Sequence, residues 1–249
     1  MLLLIKYTLL YGIVLMMVAL GGMFSEHSGI INIALEGIMV IGGVAGVLTL
    51  TMLPSSMPVF LVVLISVLVA ALAGMVYSLL LAFASINLKA DQTIGGTALN
   101  LMAPALVLFL IRIIANQNTL QMATGDSASW FMLKKSTFGV DKSVDWGFFG
   151  ETFLNKIYLA TYICILLFII LSVILYKTKF GLRLRACGEN PQAADSLGIN
   201  VYKMRYAGVT ISGALAGMGG FVYAMTTANC SSNGARGTLK FFLMKKFAY

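Results

Sequence analysis

The chain has 249 residues, of which 59% are hydrophobic and 10% are charged, with a mean hydropathy of +0.93 and a formal net charge of +8. A soluble domain of this composition would expose more apolar surface than it could hide, so the composition excludes an ordinary soluble protein and indicates an integral membrane protein. The basic residues lie at the ends of hydrophobic runs rather than among exposed aromatic residues, which excludes a nucleic-acid partner.

Six hydrophobic segments follow one another along the chain. They contain long runs without Asp, Glu, Lys or Arg, and each is long enough for a helix of about 20 residues to cross a bilayer. We predict membrane-spanning helices over residues 2–22, 30–53, 59–85, 94–113, 157–176 and 206–225. The predicted fold is an all-α polytopic membrane protein with about six transmembrane helices, in a transmembrane domain over residues 1–225.

Small residues recur every four positions in three of these segments. They are Gly42 and Gly46 in the second, Ala70, Gly74, Ser78 and Ala82 in the third, and Gly208, Ser212, Ala216 and Gly220 in the sixth, where Gly213 and Gly217 form a second stripe. In lipid, such stripes let helix backbones approach closely. Each of these spans is therefore predicted to pack tightly against a neighbouring helix.

Polar residues inside the second and fourth segments are candidates for a solute pathway. Asn32 and Glu36 are four residues apart, so a helical pattern places them on one face. An acid in a membrane span costs about 2–3 kcal/mol, so these residues should face protein or water. In the fourth segment, Pro104 predicts a kink that frees the carbonyl and side-chain amide of Asn100, and Thr97 extends this polar strip. For all four candidates, hydrogen bonds that only pack the protein remain the alternative.

A charged island over residues 176–206 separates the fifth and sixth segments. Asn190 is a favoured N-cap, Pro191 fits the first helical position, and Gly198 suits a left-handed stop. These signals predict one short helix over residues 191–197, after an earlier turn over residues 180–186.

The predicted short helix has a small apolar face made of Ala193, Ala194 and Leu197. A helix of this length lies well below the ~12–15 residues that are marginal in water, so packing against its own protein or a partner must hold it. An ordinary amphipathic connector is the alternative interpretation.

Basic residues set the predicted orientation. The island carries Lys177, Lys179, Arg183, Arg185, Lys203 and Arg205 against Glu189 and Asp195. Such an excess predicts a cytoplasmic location, with the N-terminus and the loop over residues 115–156 outside. The basic tail over residues 226–249 would then also lie outside, against the usual bias, which suggests that it is not a native continuation.

Catalytic constellations are missing from the sequence. The chain has three cysteines and one histidine, and it contains no HExxH, CxxC, nucleophile elbow or GxxxxGK[ST] phosphate loop. We therefore expect no enzyme activity, metal site or cofactor in this chain. Nucleotide-driven work would have to be done by another polypeptide.

Three segments carry a resemblance to a known family: FSEHSGIINIALEGIMVIGG, ADQTIGGTALNLMAP and GLRLRACGENPQAADSLGI. Over residues 9–225 the chain resembles the permease subunits of bacterial ABC importers, in the nucleoside and simple-sugar branch, with a more distant relation to branched-chain amino-acid permeases. Related permeases continue into further spans, whereas this chain becomes the basic tail, so we expect a truncated or frame-shifted copy.

The resemblance implies a transport subunit in the bacterial plasma membrane that moves a small hydroxylated solute, with nucleosides preferred, by alternating access. Its implied partners are cytoplasmic ATPases, a second permease subunit, an extracellular solute-binding lipoprotein and membrane lipid. Residues 177–205 would be the coupling segment that docks in a cleft of the ATPase. The matching positions are Gly188, Glu189, Asn190, Pro191, Ala193, Ala194, Leu197 and Gly198.

Two other function classes remain open at this point. A stand-alone channel or secondary transporter would need a charge relay or repeat symmetry, and neither is visible in the sequence. A non-transporting permease fragment would fit the atypical tail.

Overall fold

A computed structural model describes residues 2–53, 59–115, 132–133 and 157–230. The structure begins with four helices, α1 (Leu2–His27), α2 (Leu35–Met52), α3 (Val59–Ile86) and α4 (Gln92–Ala115). It continues with α5 (Leu159–Lys177), α6 (Lys179–Glu189), α7 (Pro191–Ser196) and α8 (Val201–Cys230). Two short strands, β1 (Met132–Leu133) and β2 (Ile157–Tyr158), pair antiparallel just before α5. The predicted loop and tail otherwise lie outside the described residues.

Helices occupy all six predicted hydrophobic segments. Three are long and apolar enough to cross a membrane by themselves: Leu61–Ile86, Gln92–Ile113 and Val201–Met225. A fourth qualifies when Tyr162–Lys177 is joined to Lys179–Glu189 across a bend of 66°, and Tyr11–His27 and Leu35–Leu50 are apolar but shorter. The prediction of an all-α polytopic membrane protein is confirmed.

Helix α8 is the centre of the bundle and packs against α1, α2 and α3. The small-residue stripes meet there: a Cβ on Gly74 would lie 3.0 Å from the Cα of Gly217, and one on Gly42 would lie 2.7 Å from the Gly217 carbonyl oxygen. Lipid provides no hydrophobic force between helices, so close backbone packing of this kind holds them together. The predicted role of the stripes is confirmed.

Helix α6 is part of the core. Its Leu184 is fully buried in a cluster with Phe24 of α1, Leu175 of α5 and Leu215 of α8. Helix α6 therefore cannot shift independently of the bundle without exposing these side chains.

The second span begins later than predicted. Residues 28–34, here called the α1–α2 linker, are not helical, and α2 begins at Leu35 rather than at residue 30. Gly29 has φ +85°, a left-handed conformation that ends the helical path after α1. Asn32 thus precedes the helix, and the prediction that Asn32 and Glu36 share one helix face is wrong.

Other boundaries differ by a few residues. Helix α5 begins at Leu159 because residues 157–158 pair as a strand, and α6 covers Lys179–Glu189 rather than residues 180–186. Helix α8 begins at Val201, five residues before the predicted start, because Asn200 caps it by accepting a 3.0 Å hydrogen bond from the Lys203 N–H.

Candidate functional site

Local capping chemistry shapes residues 177–205 as the sequence predicts, and we keep for them the name of their predicted role, the coupling segment. Asn190 ends α6 and begins α7, where its Oδ1 accepts a 3.1 Å hydrogen bond from the Ala193 N–H. Pro191 occupies the first helical position, and Gly198 follows the helix with φ +78°. The short helix ends at Ser196 with Leu197 as its C-cap, one residue earlier than predicted.

The predicted apolar face of α7 is divided between two directions. Ala194 is buried against the protein, whereas Ala193 is exposed and Leu197 is 78% exposed. The prediction that all three share one face is therefore wrong, because consecutive helical positions lie about 100° apart. Ala193 and Leu197, four residues apart, form the outward apolar surface of the coupling segment.

An open cavity of about 230 Å³ lies beside this surface, where α7 leads into α8. Its lining residues are Asp195, Gly198, Ile199, Asn200, Val201 and Tyr202. The Tyr202 side chain is 62% exposed at its edge. The outward side of the coupling segment thus combines an exposed leucine, an exposed aromatic ring and a partly polar hollow.

Gly188 faces inward instead of outward. A Cβ on Gly188 would collide with the His27 carbonyl oxygen and would lie 3.1 Å from the Gly29 nitrogen. Among the positions assigned to ATPase docking, Gly188 and Ala194 therefore hold the segment against its own protein. The exposed positions are Glu189, Asn190, Ala193, Leu197 and Gly198, with Pro191 half-buried between them.

Basic and aromatic side chains surround this inward contact. The Arg185 guanidinium lies 5.3 Å from the centre of the Tyr176 ring, and the His27 ring meets Tyr176 edge-on with centroids 6.2 Å apart. Cys187 is fully buried here. Burial raises the pKa of the Cys187 thiol, and the nearby Arg205 guanidinium partly opposes that increase.

Side chains from three helices hold the α1–α2 linker. Ser25 of α1 donates a 2.7 Å hydrogen bond to the Ile30 carbonyl, and the Ile31 N–H donates to Oε1 of Gln92 at 2.8 Å. Asn32 is buried, and its Nδ2 donates to the Ser212 hydroxyl of α8 at 2.9 Å. Non-helical backbone needs such partners wherever it is buried, because a buried N–H or carbonyl without a hydrogen bond is costly.

Asn100 of α4 completes this set. Its Nδ2 donates to the Ile33 carbonyl at 2.8 Å, and its Oδ1 accepts from the Gly37 N–H at 2.7 Å. Helix α4 runs continuously through Pro104. The prediction of an Asn100 amide freed by a kink is therefore wrong, because that amide already binds the linker and the first turn of α2.

The remaining two pathway candidates lie at the surface. Glu36 and Thr97 are both exposed, and the Thr97 hydroxyl donates to carbonyls of its own helix, at 2.9 Å to Thr93 and 3.0 Å to Ile94. The structure thus separates the four predicted residues by exposure, because Asn32 is buried and Asn100 is half-buried, whereas Glu36 and Thr97 are exposed.

The sequence analysis did not predict the polar contacts of three residues in this site. Ser25 and Gln92 were not singled out, and Ser212 was recognised only as a small residue in a packing stripe. Ser212 is a polar residue inside a hydrophobic segment, which is the one signal that could have identified it, but the partners of Gln92 and Ser212 are 61 and 180 residues away in the chain.

Comparisons with known proteins place the chain among transport proteins. A family model described as the permease component of branched-chain amino acid transport systems matches residues 4–245. The nucleoside ABC transporter permease protein NupC of Lactococcus lactis is 42% identical over 219 residues, covering 87% of this chain and 65% of the relative. The guanosine ABC transporter permease protein NupQ of Bacillus subtilis is 42% identical over 221 residues, covering 89% of this chain and 66% of the relative.

The chain spans less than two thirds of the length of both relatives, at 65% and 66%. The family match ends at residue 245, beyond the predicted end of the transmembrane domain at residue 225. No solved structure matches the chain.

Proposed function

Because the chain belongs to the family of permease components of branched-chain amino acid transport systems, we propose that it is the permease subunit of an ABC importer. It carries a small hydroxylated solute, a nucleoside, across the plasma membrane by alternating access. The names of NupC and NupQ, which are nucleoside and guanosine permeases, support this choice of substrate. The two relatives are equally similar to the chain, so the proposal extends to nucleosides as a class.

Energy and solute come from partner proteins in this proposal. The sequence contains no phosphate-binding loop, so cytoplasmic ATPases hydrolyse ATP. A second permease subunit completes the pathway, and an extracellular solute-binding lipoprotein delivers the solute. This chain acts as a transport subunit and not as an enzyme.

The observation that carries the proposal is the outward surface of α7. Asn190 caps the start of α7, and Gly198, with its left-handed backbone, ends the turn that follows it. Leu197, the C-cap, points away from the protein with 78% of its surface exposed. Transfer of a leucine side chain into a protein contact stabilises a complex by about 1.5–3 kcal/mol, so an exposed leucine on a fixed helix suits a partner cleft. The neighbouring cavity at Tyr202 offers space for a side chain of the ATPase.

The solute pathway is assigned to the side of the chain where α2 meets α4. Glu36 and Thr97 are exposed there, beside the contacts of Gly37 with Asn100 and of Gly96 with Ile33. A carboxylate that faced lipid would cost about 2–3 kcal/mol, so a second permease subunit or a water-filled path is expected to cover Glu36. Asn32 and Asn100 support this surface indirectly, because their hydrogen bonds hold the α1–α2 linker in place.

Reconstitution of the chain with its ATPase, second permease and binding protein in proteoliposomes tests the proposal. Leu197→Glu should reduce nucleoside-stimulated ATP hydrolysis and co-purification of the ATPase by at least about tenfold, since 1.4 kcal/mol corresponds to a factor of ten. Gln192→Glu adds the same charge to an exposed position of α7 without removing an apolar contact, and it is the matched control. ATPase binding by Leu197→Glu at the level of the parent chain would contradict docking, and nucleoside uptake without ATP would indicate a channel or secondary transporter.

A further inference from the structure

The coupling segment touches the α1–α2 linker through backbone atoms. A Cβ placed on Gly29 would lie 3.2 Å from the Cα of Gly188, and one placed on Gly188 would lie 3.1 Å from the Gly29 nitrogen. The two glycines therefore leave no room for an intervening side chain. Displacement of either segment along their line of contact must displace the other, because packed backbones cannot be compressed.

The coupling segment is stiff on its side of this contact. Asn190 serves as the last cap of α6 and the first cap of α7, so the two helices share one residue as their corner. Gly188 lies two residues before that corner. A force applied to the outward face at Leu197 therefore reaches Gly188 through α7, the single extended residue Asn190 and the end of α6, and not through a longer loop.

The linker on the other side is held by a small set of hydrogen bonds. Ser25, Gln92 and Asn100 bind the carbonyl of Ile30, the N–H of Ile31 and the carbonyl of Ile33, and Asn32 binds Ser212. These contacts come from α1, α4 and α8. A shift of the linker would therefore change several of these hydrogen bonds together and would be felt by α1, α4 and α8.

Unpaired polar atoms also flank this region. Among the described residues, the buried side-chain nitrogen and oxygen atoms without a hydrogen-bond partner are Asn32 Oδ1, Arg185 Nε and Arg205 Nε. Asn32 lies in the linker, Arg185 lies one turn before Gly188, and the Arg205 guanidinium would be 3.4 Å from a Cβ on Gly29. Buried polar groups are normally paired, so a second position of the linker that supplied these partners would be competitive with the present one.

We propose that the Gly29–Gly188 contact is the joint through which the coupling segment moves the α1–α2 linker, and that Asn32 and Asn100 are positioning residues for that movement. This inference rests on the proposed function. It names the α1–α2 linker as the part of the membrane domain that a movement of the ATPase would displace. Movement of the linker would reach α4 through Asn100 and α8 through Asn32. The start of α2, next to Glu36, would move with it.

The joint can be tested with a reporter cysteine at Ile31, a linker residue that is 57% exposed. In the full complex, with the native cysteines replaced by serine, the rate of Ile31→Cys modification by a small maleimide is measured with and without ATP. We expect ATP to change this rate by at least threefold. Adding Gly188→Ala, whose Cβ cannot fit against His27 and Gly29, should abolish the ATP-dependent change and reduce nucleoside uptake, while the ATPase still co-purifies.

Two further variants keep the test decisive. Gly12→Ala is the matched control, since nothing lies within 4 Å of its Cβ, and it should retain the ATP-dependent change. If Gly188→Ala does not insert into the membrane, Gly29→Asn replaces it, because asparagine tolerates a left-handed backbone but still adds a Cβ at the joint. If ATP still changes the rate of Ile31→Cys modification in whichever variant, Gly188→Ala or Gly29→Asn, inserts into the membrane, the proposed joint is wrong. Loss of ATPase binding in Leu197→Glu would in that case still support docking of the ATPase on α7. The docking proposal and the joint proposal can therefore be rejected independently.

Discussion

Asn100 of α4 accepts a 2.7 Å hydrogen bond from the backbone N–H of Gly37, so a side chain from one helix caps the first turn of another. The Ala34 N-cap of α2 has no side-chain hydrogen bond of its own. The first turn of any helix leaves N–H groups without partners in the helix, and Gly37 is buried, so water cannot replace them. The beginning of α2 therefore depends on α4.

Removing this cap should destabilise the protein and disturb transport. Asn100→Ala leaves the Gly37 N–H and the Ile33 carbonyl unpaired, which costs about 1–3 kcal/mol for each buried group. We expect a lower Tm in detergent and a changed apparent affinity for the nucleoside. Ser85→Ala is the control, because the Ser85 hydroxyl donates to carbonyls of its own helix, at Leu81 and Ala82, and the residue lies outside the proposed solute pathway. Unaltered uptake and thermal stability in Asn100→Ala would refute the role of this residue.

Close packing between α3 and α8 gives a second prediction. In Gly74→Ala, the added Cβ would lie 3.0 Å from the Cα of Gly217 and would collide with the Gly213 carbonyl oxygen, so the helices must separate. Overpacking of this kind costs about 1–3 kcal/mol. A fall in Tm relative to the parent chain, measured by thermal unfolding in detergent, is the expected result. Gly95→Ala, with its nearest neighbour at 3.5 Å, should change the Tm much less.

The start of α4 should respond to pH. Asp91 Oδ1 accepts from the Thr93 N–H at 2.7 Å and from the Ile94 N–H at 3.4 Å, and these backbone hydrogen bonds lower the pKa of Asp91 below its usual 3.8. A lowered folded-state pKa means that the charged cap stabilises the fold above the unfolded-state pKa, and that this stabilisation is lost as the pH falls through the folded-state pKa.

Asp91→Asn isolates this effect, since asparagine caps a helix without titrating. The Tm difference between the parent chain and Asp91→Asn should be present at neutral pH and should shrink below pH ~4. A difference that stays constant across this range would show that ionisation of Asp91 does not stabilise α4.

Thiol labelling can test the orientation predicted from the basic residues. Cys187 is fully buried and its pKa is raised by burial, so it reacts slowly whichever side it faces. Leu197→Cys, at an exposed position of the same segment, is the informative probe. An impermeant maleimide should label it in inside-out vesicles that lack the ATPase and not in intact cells. Rapid labelling in intact cells would place the coupling segment outside and would reject ATPase docking.

Much of this architecture could be predicted because its causes are local in the chain. Hydrophobic segments become helices in lipid since only internal hydrogen bonds satisfy their backbone, and all six segments contain helices. The corner at Asn190 and Pro191 and the stop at Gly198 follow from cap chemistry within a few residues. The small-residue stripe around Gly217 indicated a close helix contact for the same reason.

The candidate pathway was predicted less well, because its contacts join distant parts of the chain. Asn32 meets Ser212 and Asn100 meets Ile33, separations of 180 and 67 residues. A helical pattern assigned Asn32 to α2, although it lies in the linker. Hydropathy could not reveal the break, since residues 30–34 are mostly apolar and their backbone partners come from other helices.

Composition, caps and small-residue spacing by themselves determined that this is a helical membrane protein with a rigid charged corner between its last two long helices. The tertiary structure alone decided which side of that corner faces inward, and it placed Gly188 against Gly29. The physical reason is that capping and hydrophobicity act within one or two helical turns, whereas a backbone contact between two glycines exists only after separate helices have packed.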